Sequence, residues 1–544
     1  MLPEMRMNNY IATAAAPLWR SDEPPRAQIA VRQITAEELS AQALEDYERQ
    51  RFEAAARNAA RAIERAPGFA FARLLAGVSL SALGRHEEAV RQLQFAASID
   101  PQDAQIRYNL AVTLQQSGQD DLAMLEYSAC LESDPGHADA LWNYGEMLRL
   151  REHFEKALAC FKRLLGIEGS KRSKMAHRMA VCCSALGLDQ QADELFSEQI
   201  VLDDDPVTHW EYSHFLLGRG RFEQAWPHYA RRFEAGEQIS LYRAKYPYPF
   251  WNGEFESGAA LVVHGEQGAG DEILFATFLR PLLDRAAKTG MRVIVACRPG
   301  LLRLFQASFG GAVVVAHEVE RPADVSTVIA GYGQVWQVNI GDLGRWIEKP
   351  SPIAYLMPQS EDIEFIRKLL GEHDGLRIGL AVSANPYSLQ TNRRQRNVNV
   401  ALINAHVKEL ERRRPDVRFY SLHTGECRPA LAALTDVHVH ELSAQLTDFS
   451  RTAALMTQMD FVVSVCTSTA NLAGALGCET HVLLQRFADW RWFKDSSWYS
   501  QARTHRQKVA SDWSAPLNSL FAELAVARLI SPALRSCTGQ MQPH

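Results

Sequence analysis

The sequence predicts a chain in two parts: an all-α repeat superhelix, then an α/β region with parallel strands in two successive halves. Small residues recur about every 34 positions in the N-terminal part. A glycine-rich turn follows an apolar segment near residue 265, and strand-like and helix-like segments then alternate. Such alternation is typical of βαβ units, so the change of pattern near residue 250 predicts a second type of domain.

The composition is that of a globular protein of more than one domain. The chain has 544 residues, of which 47% are hydrophobic and 22% charged. A net charge of −6 is spread over the chain without a polybasic stripe, which argues against nucleic acid as a partner. Since no apolar run could span a bilayer and the N-terminus does not resemble a signal peptide, we expect a cytoplasmic protein with no membrane span.

The nine cysteines indicate neither a disulfide framework nor a metal site. Their number is odd, and they form no C-x-x-C pair. The acidic string Asp203 to Asp205 precedes Pro206, where a solvated turn explains it better than a metal-binding motif. We therefore expect no metal and no cofactor.

A repeat of about 34 residues extends through the N-terminal part. A marker alanine recurs at steps of 34, 34, 34, 35 and 33, and twelve residues before each marker stands another small residue. At such positions the two helices of a repeat cross too closely for a large side chain. Pro67, Pro101 and Pro135 end the second helix of the first three repeats. The markers are Ala55, Ala89, Ala123, Ala157, Ala192 and Ala225.

These features resemble the tetratricopeptide-repeat family from about Ala41 to about Ala235. The predicted bounds are 39–237 for about six repeats, after a flexible segment 1–38. The resemblance implies a superhelix whose concave face binds a protein or peptide. A spacer or a dimerisation surface stays open as the alternative, and with it a homo-oligomer.

A glycine-rich turn opens the second part. The apolar strand Ala259 to Val263 runs into H-G-E-Q-G-A-G-D-E, and a helix starts near Asp271. Gly265, Gly268 and Gly270 allow the backbone to approach a ligand closely, and the free N–H groups of a helix start suit an anion or an oxygen-rich sugar. Taken alone, such a turn is explained equally well by tight packing.

Strands and helices continue to alternate after this turn. The layout predicts doubly wound parallel sheets in two halves, residues 238–357 and 358–530, before a flexible tail 531–544. The other predicted strands are Arg292 to Ala296, Ala312 to Ala316, Arg377 to Val382, Arg418 to Leu422, Phe461 to Val465 and His481 to Leu484.

Five strings in the second part carry a family resemblance. They are F-W-N-G-E, H-G-E-Q-G-A-G-D-E-I-L-F-A-T-F-L, R-I-G-L-A-V-S-A-N-P, V-V-S-V-C-T-S-T-A-N-L-A-G-A-L-G and D-W-R-W-F. In this order they resemble bacterial proteins that fuse tetratricopeptide repeats to a domain similar to glycosyltransferase family 9, the heptosyltransferases. The resemblance implies the two-Rossmann-domain GT-B fold, a nucleotide-sugar donor as co-substrate, no metal requirement, and donor contacts mainly from the C-terminal half.

The same resemblance implies roles for single residues. Asp271 corresponds to the general base that acts on the acceptor hydroxyl; a helix-terminal aspartate stabilised by the helix dipole is the alternative. The family usually has Asp at the position of Cys466, so a charge expected near the donor is missing here. It often has His where this chain has Asn471. The implied donor-binding residues are Gly268, Gly270, Asn385, Arg393, Arg396, Thr467, Ser468 and Asn471.

The basic loop around Arg393 and Arg396 suits diphosphate oxygens, because guanidinium groups bind them bidentately. A solvated basic loop is the alternative. The expected function is a glycosyltransferase that moves a sugar to a protein acceptor captured by the repeats, such as Ser or Thr of flagellin or another surface protein. The alternatives are a non-catalytic repeat scaffold with a degenerate transferase domain and a lipopolysaccharide heptosyltransferase.

Overall fold

The computed structural model describes most of the chain, which divides into two compact units, residues 1–140 and 141–544. The predicted flexible tail and residues 1–33 lie outside the described residues, and the predicted domain bounds stay predictions. Within the described ranges, no helix is both long and apolar enough to cross a bilayer. The described residues are 34–167, 172–236, 246–318, 322–384, 396–424, 438–493 and 498–527.

The first unit is built of helices packed in sequential pairs. They are α1 (Ala36–Glu48), α2 (Phe52–Arg65), α3 (Ala70–Ala82), α4 (His86–Ile99), α5 (Ala104–Gln116) and α6 (Asp120–Ser133). An added Cβ at Gly77 would lie 2.5 Å from Cγ of Leu93, so α3 and α4 can pack this closely only because residue 77 is glycine. Gly84 and Gly118 follow α3 and α5 with φ of +75° and +76°, which glycine adopts without strain.

The second unit begins with helices of the same kind. They are α7 (Ala138–Leu150, which starts in the first unit), α8 (Phe154–Leu165), α9 (Arg172–Ala185), α10 (Asp189–Leu202), α11 (Pro206–Gly218) and α12 (Phe222–Tyr229). All six marker alanines are fully buried. The acidic string before Pro206 ends in a helix cap, because Asp205 Oδ2 accepts a hydrogen bond from Thr208 N–H at 3.1 Å.

A four-stranded parallel sheet follows, in the order β3-β2-β1-β4. Its strands are β1 (Ala259–His264), β2 (Arg292–Cys297), β3 (Val313–Ala316) and β4 (Gln334–Asn339). The accompanying helices are α13 (Ala269–Phe275), α14 (Leu279–Thr289), α15 (Leu302–Ser308) and α16 (Ser326–Ile329). Every residue of β1 is buried, as expected for a parallel strand covered on both faces.

A six-stranded parallel sheet forms the last part, in the order β7-β6-β5-β8-β9-β10. Its strands are β5 (Arg377–Ala381), β6 (Arg418–Ser421), β7 (Val439–His440), β8 (Phe461–Val465), β9 (Thr480–Leu484) and β10 (Ala502–Arg506). The helices are α17 (Ser360–Leu370), α18 (Val400–Arg413), α19 (Phe449–Met456), α20 (Ser468–Ala475) and α21 (Ser514–Val526). An α/β region with parallel sheets after the repeats is thereby confirmed.

A buried ion-pair network inside the second unit joins the last repeat to the first sheet. Arg232, just after α12, and Glu266, just after β1, are both 0% exposed. The Arg232 guanidinium donates to Glu266 Oε2 at 2.5 Å and to Asp342 Oδ1 at 2.7 Å. The Trp226 ring lies so close to Gly344 that an added Cβ there would be 2.3 Å from it. The last repeat and the first sheet therefore share one core.

Candidate functional site

The starts of α13 and α20 lie against each other at the carboxyl ends of β1 and β8. An added Cβ at Gly270 would lie 3.1 Å from Nδ2 of Asn471 and 3.4 Å from Cα of Ser468. Even a methyl group at position 270 would require these neighbours to shift by a few tenths of an ångström, so the glycine has a packing role as well as any role toward a ligand. Ligands of open parallel sheets bind outside the carboxyl ends of the strands, which is where this junction lies.

Asp271 is engaged through both carboxylate oxygens. Its Oδ2 accepts a hydrogen bond from the Gly268 N–H at 3.1 Å, and its Oδ1 forms an ion pair with Arg491. Arg491 also pairs with Asp489 at 2.6 Å and lies over the Trp490 ring. Burial lowers the pKa of Arg491, but the carboxylates of Asp271 and Asp489 raise it more, so its pKa stays above the usual value. The helix-end role of Asp271 is therefore visible, and its role as a base stays a prediction.

Glu272, the next residue, is a buried carboxyl group that the sequence analysis did not single out. Its Oε2 accepts a hydrogen bond from the Arg298 N–H at 3.0 Å. Burial raises the pKa of Glu272 to about 7, although Arg298 opposes this shift. A carboxyl group with such a pKa can exchange a proton near neutral pH, which is the property that acid–base catalysis needs.

The predicted donor residues after β8 differ in what they do. The Thr467 side chain turns back toward the end of β8, where its Oγ1 donates a hydrogen bond to the Val465 carbonyl oxygen at 3.3 Å. Ser468 is the first residue of α20 and is partly exposed. Asn471 is buried, and its Oδ1 accepts a hydrogen bond from the Tyr499 hydroxyl at 3.1 Å. Asn471 therefore supports the junction with Gly270, and Ser468 at the start of α20 is partly exposed beside it.

Arg396 reaches the carboxyl end of β8. Its Nη1 donates to the Cys466 carbonyl oxygen at 3.4 Å, and its buried Nε has no partner in the part of the chain that the structure describes. Asn385 and Arg393, the other two predicted loop residues, lie outside the described residues. The structure thus places Arg396 beside the Cys466 carbonyl group, and its role toward a donor stays a prediction.

Two polar residues that the sequence analysis missed lie at the ends of the neighbouring strands. Ser383 follows β5 and donates its backbone N–H to Nε2 of His423, which follows β6, at 3.2 Å. Burial lowers the pKa of His423 to about 4, so the ring is neutral and its proton lies on Nδ1. Ser383 Oγ and His423 Nδ1 are both buried without a partner among the described residues. Unpartnered buried polar groups are costly, so their grouping at these strand ends indicates a ligand position.

The first sheet shows the same feature. His264 and Asn339 end the adjacent strands β1 and β4, and their Cα atoms are partners in the register. Both amide atoms of Asn339 and Nε2 of His264 are buried without a partner within the described ranges. Burial lowers the pKa of His264 to about 3, so this ring is also neutral.

A cavity of about 430 Å³ lies between the later repeats and the segment that follows β9. The His214 ring stacks on Trp490 at 5.8 Å, and the Arg219 guanidinium lies between Phe215 and Phe493, at 4.3 and 3.5 Å from their rings. The wall residue Trp490 precedes Arg491, the partner of Asp271. The lining includes Phe154, Val181, Phe196, Phe215, Arg486, Trp490 and Phe493.

Curated proteins with similar sequences include two bacterial ones. The chain is 26% identical over 424 residues to Protein FlbA of Caulobacter vibrioides, an alignment that covers 70% of this chain. It is 28% identical over 160 residues to the type IV pilus assembly protein PilF of Pseudomonas aeruginosa, which covers 28% of this chain. The chain spans 66% and 62% of the length of these two relatives, less than two thirds of each.

Solved structures with similar parts include repeat proteins. One from Parabacteroides merdae has a TM-score of 0.31 at 17% identity and covers 37% of this chain and 80% of its own. YrrB, described as a TPR protein with an unusual peptide-binding site, has a TM-score of 0.30 at 18% identity and covers 32% and 91%. The family model described as "TPR repeat" matches residues 77–118, and the one described as "Tetratricopeptide repeat" matches residues 104–137. These family matches identify tetratricopeptide repeats in the N-terminal helical region of the chain.

Proposed function

We propose that this chain is a GT-B glycosyltransferase of the heptosyltransferase-like class that transfers a sugar from a nucleotide-sugar donor to a protein held by its repeats. The observation that carries the proposal is the pair of parallel sheets with unpartnered buried polar groups at their strand ends. The order β7-β6-β5-β8-β9-β10 is that of dinucleotide-binding doubly wound sheets, and β3-β2-β1-β4 is its first part. The orders reverse between β1 and β4 and between β5 and β8; His264 and Asn339 lie at the first reversal, and Ser383, after β5, lies beside the second.

The donor would lie at the carboxyl ends of β5, β6 and β8. The proposed contacts to its diphosphate come from Arg396, with Arg393 and Asn385, and from the backbone N–H groups at the start of α20, where Thr467 and Ser468 lie. Gly268 and Gly270, which have no side chains, would leave space for the donor on the opposite side of the site. These groups would stabilise the charge of the departing nucleoside diphosphate without a metal ion.

The reaction would form a bond between an acceptor oxygen and the anomeric carbon and break the bond from that carbon to the diphosphate oxygen. The proton of the acceptor hydroxyl would pass to a carboxylate. Asp271 is the proposed base by resemblance, and Glu272 is a second candidate because its pKa of about 7 suits proton transfer near neutral pH.

The acceptor would enter along the cavity beside the later repeats. The aromatic lining and the charged rim suit an apolar side chain of a polypeptide with its polar backbone outside. The Trp490–Arg491 segment would link this cavity to Asp271. We propose a cytoplasmic reaction on flagellin or another surface protein, on the strength of the family resemblance alone.

A panel of nucleotide sugars tests the donor site. A ligand that binds only the native state at a hundredfold excess over Kd stabilises it by about 2.7 kcal/mol, so at least one donor should raise the melting temperature. Arg396→Gln should reduce this rise, whereas Arg412→Gln, on the exposed side of α18, should not. No rise with uridine, guanosine, adenosine or cytidine donors would count against the transferase.

A non-catalytic scaffold is the second candidate function. Two observations favour it: Cys466 stands where the family usually has Asp, and both oxygens of Asp271 are engaged. Such a scaffold would bind a partner through its repeats and would turn over no donor. Donor binding without any turnover of the bound sugar nucleotide would favour this reading.

A further inference from the structure

Three potential metal ligands face one another at the edge of the second sheet. They are His481 of β9, His505 of β10 and Glu523 of α21. Nδ1 of His481 lies 2.9 Å from Nε2 of His505 and 3.9 Å from Oε2 of Glu523. One ligand atom from each residue lies within 4.8 Å of the other two. The two histidines are 24 residues apart, so they form no short metal-binding motif with each other in the sequence.

These separations suit a small divalent ion. Zinc binds nitrogen at 2.0–2.1 Å and carboxylate oxygen at about 2.0–2.2 Å, so tetrahedral ligand atoms lie about 3.3 Å apart. The 2.9 Å and 3.9 Å separations lie on either side of this value. Small rotations of His481 and Glu523 would therefore bring the three atoms to the required spacing.

Both rings can offer a nitrogen to the same ion. Nδ1 of His481 and Nε2 of His505 face each other at 2.9 Å. Each ring needs only to carry its proton on its other nitrogen, Nε2 of His481 and Nδ1 of His505.

The surrounding charges favour a cation overall. Arg503 pairs with Glu479 at 3.0 Å and with Glu523 at 3.6 Å, and it is largely exposed. One guanidinium between two carboxylates leaves a net charge of −1. If the Glu523 carboxylate rotates toward the metal, Arg503 still has its ion pair with Glu479. The Glu523 side chain is 42% exposed, which gives an ion access from solvent.

We propose that His481, His505 and Glu523 bind one divalent ion of the zinc class, with water in the fourth position. The ion would tie α21 to β9 and β10 and so fix the outer edge of the second sheet. None of the residues proposed for sugar transfer takes part. The presence of the ion is therefore independent of the proposed function.

Cobalt(II) is the probe, because tetrahedral cobalt with nitrogen and oxygen ligands absorbs visible light. The full chain, freed of metal by a chelator, is titrated with Co²⁺, and the absorption is displaced with Zn²⁺. We expect one equivalent at this site and a rise in melting temperature with Zn²⁺. Glu523→Gln and His505→Asn should weaken binding by more than the ~10–100-fold that loss of an outer-shell partner costs.

Glu479→Gln is the matched control, because it removes the other carboxylate beside Arg503 without removing a ligand. It should retain the cobalt spectrum. The half-exposed Glu523 can be changed without opening the core, so the test does not depend on the buried histidine. Absence of a tetrahedral cobalt spectrum, or the same spectrum and affinity in Glu523→Gln as in the unchanged chain, would overturn the proposal.

Discussion

Replacement of Asp271 by asparagine separates its two roles. Asparagine can still accept the hydrogen bond from the Gly268 N–H, but it cannot take up a proton or pair with Arg491 as an anion. Arg491 keeps Asp489 at 2.6 Å, so the change removes one of two charged partners. We expect a loss of about 1.5–3 kcal/mol in the free energy of unfolding, the usual contribution of a hydrogen bond to a charged group.

Catalysis should respond differently from stability. If Asp271 is the base, Asp271→Asn should slow turnover of the sugar nucleotide by ~10²–10⁴-fold and leave donor affinity nearly unchanged. Asp489→Asn is the control, since it removes the other carboxylate from the same arginine and should destabilise to a similar degree without a rate loss of that size. Turnover is measured with the donor that stabilises the chain, and unfolding with urea. A near wild-type rate for Asp271→Asn would remove Asp271 from the mechanism.

Three further predictions concern the core, the cavity and the pH dependence of stability. Arg232→Met leaves the buried carboxylates of Glu266 and Asp342 without their cation and should lower the free energy of unfolding in urea by ~3–5 kcal/mol. Arg231→Met, which removes an exposed ion pair, should change it by under about 1 kcal/mol. Val181→Trp fills the cavity wall and should abolish transfer to protein but not donor hydrolysis; Val201→Trp, at a position 87% exposed, should preserve both. Since burial raises the pKa of Glu272 from 4.5 to about 7, its contribution to stability is fully present below pH 4.5 and is lost as the pH rises through 7. Glu272→Gln should therefore flatten urea-measured stability between pH 4.5 and 7, and an unchanged pH profile would contradict the raised pKa.

The sequence predicts the repeats well because their spacing follows from packing that is local in the chain. Gly77 and the marker alanines lie where helices of one repeat cross, so their small size is visible as a period. Strands with apolar runs, such as β1, are also predicted, because the apolar residues of such a strand are consecutive in the chain. β4, β7 and β10 are missed. β7 has only two residues, and Q-V-W-Q-V-N and A-R-T-H-R of β4 and β10 contain too many polar residues to look like buried parallel strands.

The candidate site is predicted only in part, because its contacts join distant parts of the chain. Asp271 is visible as the start of a helix after a glycine turn, but Arg491 is 220 residues away and no pattern pairs them. Ser383 and His423 become informative only once strand order places β5 beside β6. Asn471 could be assigned to a ligand from sequence, yet in the structure it meets Gly270 and Tyr499.

The network around Arg232 has a consequence for how this chain can be divided. A fragment that begins at residue 238, where the repeat pattern ends, would lack Arg232 and leave Glu266 and Asp342 buried without their cation. It would also lose the Trp226 ring from beside Gly344. The last repeat is thus a structural element of the α/β region, and repeats exchanged between related chains would need to bring a matching arginine with them.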